Sequence, residues 1–422
     1  MNDFDTKDYF TDPSFVADPH PFFDYHRSKC PVRRLEASQN VIAVTGYDEV
    51  LAVLRDTASV SNIVAPIGPF PPLPFPVEGD DINLQIDEHR EQFPMYEHLV
   101  TMDPPQHSRT RRLVSGLFTP RRLDENEHFM WELCDRLIDQ FHSAGRFEAL
   151  FGYGVPFALL TIADLLGVPA EHHESFARHL NAQKVGSTEG ESLGTNPLEF
   201  LDEKFTAFLE DRRREPRDDA LTILADARYP DGEVPDVVEL VRIATFLFGA
   251  GQDTTARLIT SMLLQIAENQ ELQKQLREDR TLIPPFIEEM LRMEGPVKSD
   301  FRLARKTTDV GGVTIPAGTV VMVSLPAANR DPSRFENPHE LRIDRENARE
   351  HVAFGRGVHS CPGGPLARVE ARVTIERILD RMHDIRVSEA QHGPAHDRDF
   401  RYEPTYILRG LAELHLEFTP VD

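Results

Sequence analysis

Apolar residues recur at intervals of three and four along most of this 422-residue chain. That period marks helices with one buried face. It predicts helices over residues 47–55, 105–118, 123–144, 155–166, 170–181, 197–215, 235–269, 271–279 and 284–294. End signals agree with several of these. Asp103 and Pro104 precede one segment, and Gly167 follows another. Strand signals are fewer. VIAVTG (41–46) is rich in β-branched residues, and ELHLEF (413–418) alternates at period two. GGVTIPAGTVVMVSL (311–325) reads as a hairpin turning at Pro316-Ala317-Gly318. No βαβ alternation and no internal repeat is visible, so the pattern predicts a mainly α protein with a small β part.

One segment fits neither period. VAPIGPFPPLPFPVEG (64–79) is packed with proline and phenylalanine. It reads either as a stiff, polyproline-like surface loop or as an apolar lid over a pocket.

Composition adds exclusions. With 40% apolar and 27% charged residues the chain is an ordinary globular one. Seventy acidic against 46 basic side chains give a net charge of −24. Phosphate binding needs a basic footprint, so nucleic acid is not an expected partner, and anionic lipid exerts no general attraction. The acidic start, MNDFDTKDYFTDPSF, shows no leader or anchor. The most apolar helix, around 245–266, carries Gln252, Asp253 and Arg257 in its middle, which argues against a membrane span. A cytoplasmic protein is expected.

Three cysteines, Cys30, Cys134 and Cys361, are too few and too scattered for a disulfide framework. Cys361 sits in FGRGVHSCPGGPLAR. Zinc would need further thiolates or histidines at ligand spacing, and none is present. A nucleophile would need a base brought close in space. A single axial thiolate to haem iron needs only one cysteine, in a loop that lets a flat ring approach. Gly355, Gly357 and Gly363 permit that approach through missing side chains and tolerance of positive φ.

FGRGVHSCPGGPLARVE resembles the haem-binding signature of the cytochrome P450 family, F-G-x-G-x-H-x-C-x-G, at Phe354, Gly355, Gly357, His359, Cys361 and Gly363. The resemblance implies a P450 fold, a large helical domain around haem b (iron protoporphyrin IX) with a smaller β-rich region. It implies Cys361 as the ligand to the metal, Phe354 packed beside it, and His359 donating to a propionate. Other stretches follow in the family's order. GAGQDTTA resembles the central helix over the open haem face, with Ala250 against the ring and Asp253 and Thr254 as catalytic acid and alcohol. DPPQHSRTRR and SDFRLA would supply His107, Arg111 and Arg302 to propionates. EEMLR resembles the E-x-x-R element, as Glu289 and Arg292. LRIDRE stands where the aromatic–Pro–Arg segment lies and offers Arg345 as third member of that ion cluster, though it lacks the proline and the final aromatic. A single domain over 1–422 is implied, β-rich near 30–46, 300–325 and 400–418, with a helical core at 100–295 and 360–385.

The residues carry physical alternatives of their own. His107 and Arg111 share a helix face, either solvated or closing on a bound dianion. Glu289 and Arg292, three apart, form either an exposed pair worth ~0–1 kcal/mol or a buried one. Thr254 either serves a proton relay with Asp253 or bonds back to its own helix. Phe246, Gly249 and Ala250 share that helix face, as a wall followed by a gap. Val297 and Ile407 join them as expected pocket residues, along with the 176–201 stretch. Lys298 either meets a substrate carboxylate or faces water. Arg112, Arg121 and Arg122 either contact a ferredoxin or lace a surface helix with salt bridges. Pro362 either starts a helix or removes an N–H that would point at the sulfur.

The expected function is that of a haem-thiolate monooxygenase, a monomer taking O2, an apolar small molecule, and electrons from a ferredoxin and an NAD(P)H-dependent reductase. The alternatives are a peroxide-driven or non-oxygenating relative and a haem-based ligand sensor.

Overall fold

The computed structural model describes residues 4–181, 188, 196 and 198–421. The helices that position the site are α1 (Gln106–Val114), α2 (Pro120–Asp139), α3 (Val155–Leu166), α4 (Glu199–Arg214), α5 (Val237–Glu268), α6 (Ile283–Glu294) and α7 (Gly364–Arg381). The α5 helix runs through the body and packs against α3, α4, α6 and α7. Asp236 caps it, its carboxylate accepting the Val238 N–H at 2.8 Å. Leu240, Ile243, Phe248, Ile259, Met262 and Leu263 bury it on several sides, as a mostly apolar helix requires. Among the described residues no helix is long and apolar enough to cross a membrane.

Boundaries shift where a cap outweighs periodicity. The helix expected over 123–144 starts at Pro120, since proline in a first turn loses no hydrogen bond. It stops at Asp139, after which Phe141 stacks on Phe147 at 4.5 Å. Residue 197, the expected start of another helix, lies outside the described residues.

The strands are β1 (Val32–Leu35), β2 (Val41–Val44), β3 (Val60–Ser61), β4 (Arg146–Glu148), β5 (Asp300–Ala304), β6 (Thr308–Val310), β7 (Val313–Ile315), β8 (Val320–Val323), β9 (Met382–Val387) and β10 (His415–Pro420). They form sheets ordered β1-β2-β8-β5-β3, β4-β10-β9 and β6-β7. The expected hairpin within 311–325 does not form. Gly311 and Gly312, both at positive φ (59° and 77°), turn β6 into β7 instead, as a two-residue hairpin loop requires. Pro316-Ala317-Gly318 sends the chain away, and β8 inserts between β2 and β5. The third β-rich part is narrower than expected. Before β10 there are only isolated bridges at Tyr402–Leu411 and Val297–Leu408, and β3, β4 and β9 were not foreseen.

The 64–79 segment is clamped rather than free. Val64, Ile67 and Phe75 are buried in a cluster with Phe10, Phe301 and Tyr406. The Tyr406 hydroxyl donates to the Ile67 carbonyl at 2.8 Å.

Candidate functional site

The Cys361 loop joins a short turn to α7. It bends at Gly355 and Gly357, with φ of 64° and 78°. A Cβ at Gly357 would lie 2.7 Å from the Leu54 carbonyl, so only glycine fits. Gly363 corrects the expectation. Its φ is −80°, an ordinary value, and an added Cβ would meet the Cys361 sulfur at 3.8 Å, an ordinary contact, so neither conformation nor space demands glycine there. The Cys361 N–H donates to the Phe354 carbonyl at 2.9 Å. The Cys361 side chain is open on one side and densely surrounded on the others. Burial pushes its thiol up, opposed by hydrogen bonds from the Gly363 and Gly364 N–H groups and by Arg111. Pro362 precedes the helix; Pro365 occupies the first turn of α7, so Pro362 is not the helix start.

His107 and Arg111 come from α1, one turn apart. His107 is 1% exposed, which removes the solvated-face alternative. The His107 and His359 rings lie 3.9 Å apart, centre to centre. Nδ1 of His107 and Nε2 of His359 are buried without a protein partner among the described residues. Burial and Arg111 lower the His107 pKa to about 4. Burial, then His107, Arg302 and Arg111, lowers that of His359 further. Arg111 donates to the Ser360 carbonyl at 2.7 Å. Arg302, on β5 and buried, donates to Asp300 at 2.8 Å and to the Phe301 carbonyl at 2.6 Å.

Glu289 and Arg292 are fully buried on α6, and Arg345 closes on the same carboxylate. The exposed-pair alternative therefore fails.

On α5, Ala250 is exposed between buried stretches of the helix, and Phe246 is half-buried. Gly249 is not a gap. A Cβ there would come 2.9 Å from Leu198 and 3.6 Å from Leu180, so glycine admits the leucine roof. The Thr254 hydroxyl bonds back to the Ala250 carbonyl at 2.9 Å. Asp253 accepts from Arg257 Nε at 2.9 Å. Val297 is half-buried and Ile407 buried. Residues 182–187, 189–195 and 197 of the expected pocket stretch lie outside the described residues. Lys298 does not face water. It is 2% exposed, its Nζ donates to the Phe15 carbonyl at 3.1 Å, and burial lowers its pKa to about 7. Of the surface arginines, Arg112 is exposed, Arg121 pairs with Glu125 at 2.8 Å, and Arg121 and Arg122 share Asp218 at 3.4 Å.

Among the buried acids that escaped the sequence reading are Glu288 and Glu370. Glu288 joins Arg368 and His351. Glu370, on α7, accepts from the Thr255 hydroxyl of α5 at 3.1 Å. Glutamate at a core position of an otherwise apolar helix face was the available signal.

Comparison with known proteins gives this geometry its family. A cytochrome P450 from Mycobacterium marinum, CYP150A6 in its substrate-free form, superposes with a TM-score of 0.93 at 60% identity, over 99% of this chain and 100% of that one. The cytochrome P450 monooxygenase PikC of Streptomyces venezuelae is 30% identical over 96% of this chain and 92% of its own. The chain belongs to the cytochrome P450 family. The family model described as Cytochrome P450 matches residues 191–383. A more distant P450, CYP109E1 of Bacillus megaterium in complex with corticosterone, shares 26% identity with a TM-score of 0.79, over 95% of this chain and 98% of that one. The P450 fold expected from the sequence is thereby established, as is a monooxygenase that uses haem, O2 and a redox partner.

The residues of this P450 fit haem. One buried ring nitrogen on each of His107 and His359, without a protein partner among the described residues, makes with two adjacent guanidiniums an anion-binding cluster in a chain of −24 net charge. That donor set suits propionates. A lone thiol beside it, with N–H groups turned on its sulfur, suits an axial ligand.

Proposed function

We propose that this P450 inserts one oxygen atom of O2 into an apolar small molecule of terpenoid, steroid-like, aromatic or alkyl class, with electrons from a ferredoxin and an NAD(P)H-dependent reductase. The observation that carries this is the polar corner on α5, where Asp253 and Thr254 stand beside the open Ala250. Cys361 would hold the haem from one side. His107, Arg111, Arg302 and His359 would hold its propionates, with Phe354 and Gly363 beside the sulfur. Bound haem supplies the oxygen-activating chemistry.

The chain's own residues supply the rest. Thr254 commits its hydroxyl proton to Ala250, so its lone pairs stay free to accept a hydrogen bond from water or substrate. Asp253, with a side chain 42% exposed, exchanges protons with solvent, and Arg257 keeps it aimed. Phe246, Val297 and Ile407 offer apolar walls that bind substrate by burial, at about 25 cal/mol per Å², while Gly249 admits the leucines above them. The corticosterone bound by CYP109E1 supports an apolar substrate class. Arg112, which is exposed, is the leading ferredoxin contact, with Arg121 and Arg122 as further candidates. The same reading takes 1–422 as one domain, working as a cytoplasmic monomer.

The test is a screen of apolar compounds for a shift of the Soret band, followed by turnover of the hits with a surrogate ferredoxin and reductase under isotopically labelled O2. A product carrying one labelled atom is expected. Hits that bind yet yield no labelled product would overturn the reading.

A further inference from the structure

A second ionic network lies behind the Cys361 loop. Glu288 adjoins Glu289 in sequence, but successive helical residues diverge, and Glu288 takes different partners. It is 5% exposed. Arg368 grips it with two bonds, Nε to Oε1 at 2.6 Å and Nη2 to Oε2 at 3.1 Å. His351, 1% exposed, meets Oε2 through Nε2 at 3.2 Å. Its Nδ1 accepts the Ala353 N–H at 3.1 Å, so the ring proton sits on Nε2 and the imidazole is neutral. The network therefore holds one negative and one positive charge. Burial works against the Glu288 carboxylate, yet bonds from His351 and Arg368 hold its pKa down at about 2.

Arg368 reaches from this network to the sulfur loop. Its guanidinium lies 4.8 Å from the Phe354 ring centre, and Nη1 donates to the Gly364 carbonyl at 3.2 Å. A Cβ at Gly364 would stand 3.4 Å from both Arg368 Nη1 and the Phe354 ring. Glycine thus lets cation, ring and backbone close together. Phe354 in turn accepts the Cys361 N–H, and the Gly364 N–H bonds to the Cys361 sulfur.

We propose that Glu288 and Arg368 are positioning residues for the haem-thiolate: Glu288, steadied by His351, pins Arg368 against Phe354 and Gly364 and so balances the charge felt at the Cys361 sulfur. The proposal rests on Cys361 being the iron ligand. Hydrogen bonds and charges around first ligands are a recognised lever on metal potential. Removing the Glu288 charge leaves a bare guanidinium near the sulfur, which favours the more negative, reduced state. Removing the Arg368 charge does the reverse.

The test compares reduction midpoints of haem-loaded wild type, Glu288→Gln, Arg368→Gln and the double variant. Glu288→Gln is expected to shift the midpoint positive and Arg368→Gln negative, with the double variant returning toward wild type. Single variants that lose thermal stability but keep the wild-type midpoint make the network structural only and overturn the proposal. If Glu288→Gln fails to load haem, Arg368→Gln decides alone, since it removes the cation itself. A shifted midpoint there supports the proposal, and an unshifted one overturns it. A wild-type protein whose reduced carbon monoxide complex lacks the thiolate-type Soret band overturns the ligand assignment itself, before any variant is compared.

Discussion

Arg345 Nε lies 3.0 and 3.1 Å from the two carboxylate oxygens of Glu289, across 56 positions of sequence. Arg292 takes the same carboxylate at 2.8 and 2.7 Å, and the Arg342 N–H adds a bond at 3.0 Å. The two guanidiniums then donate to the carbonyls of Asn329, Glu336, Asn337, Pro338 and Glu340. One buried charge thus organises the chain that leads to the Cys361 loop.

Glu289→Ala should leave two buried guanidiniums unpaired, at a cost of about 3–5 kcal/mol. Haem-loaded protein is expected to vanish from the soluble fraction. Recovery of soluble, fully loaded variant, read from its Soret absorbance, would contradict this.

Pro362→Leu restores a backbone N–H next to Cys361, whose sulfur already receives those of Gly363 and Gly364. A further donor would withdraw charge from the thiolate, so the haem midpoint should rise. Equal midpoints in a redox titration would show that the restored N–H does not reach the sulfur.

Glu370 is buried, and burial raises its carboxyl pKa from the ordinary 4.5 to about 8. The folded state therefore keeps a proton that the unfolded state releases. The Glu370 contribution is fully present below the unfolded value and is lost as pH climbs toward about 8. Glu370→Gln, neutral at every pH, should match wild type near pH 4 and exceed it near pH 8, by on the order of 2–4 kcal/mol. Thermal melts across that range test it, and parallel melting curves would rule it out.

Thr254→Ala removes a hydroxyl whose structural role is a mid-helix back-bond. Stability should change by less than about 1 kcal/mol. Product formation should fall on the order of 10²-fold if the hydroxyl serves proton transfer. Substrate titration by Soret shift should be unchanged. A variant that turns over at the wild-type rate would remove Thr254 from the reaction.

Elements built from near neighbours were legible in the sequence. The α5 helix was placed within two residues at its N-terminus and one at its C-terminus, because helical hydrogen bonds and buried faces repeat over three and four positions. The Cys361 loop was legible because its features lie within ten residues, with glycines at the two positive-φ turns. The i, i+3 spacing of Glu289 and Arg292 was likewise local. Tertiary structure alone decided whether that pair is exposed or buried, that β8 pairs with β2 and β5 rather than β7, and that Leu198 fills the space at Gly249. It also decided that Lys298 turns to Phe15, and that Glu288 serves Arg368 while its neighbour serves Arg292. These outcomes join residues far apart in the chain. Their energies come from desolvation and packing, which exist only once the distant partner has arrived.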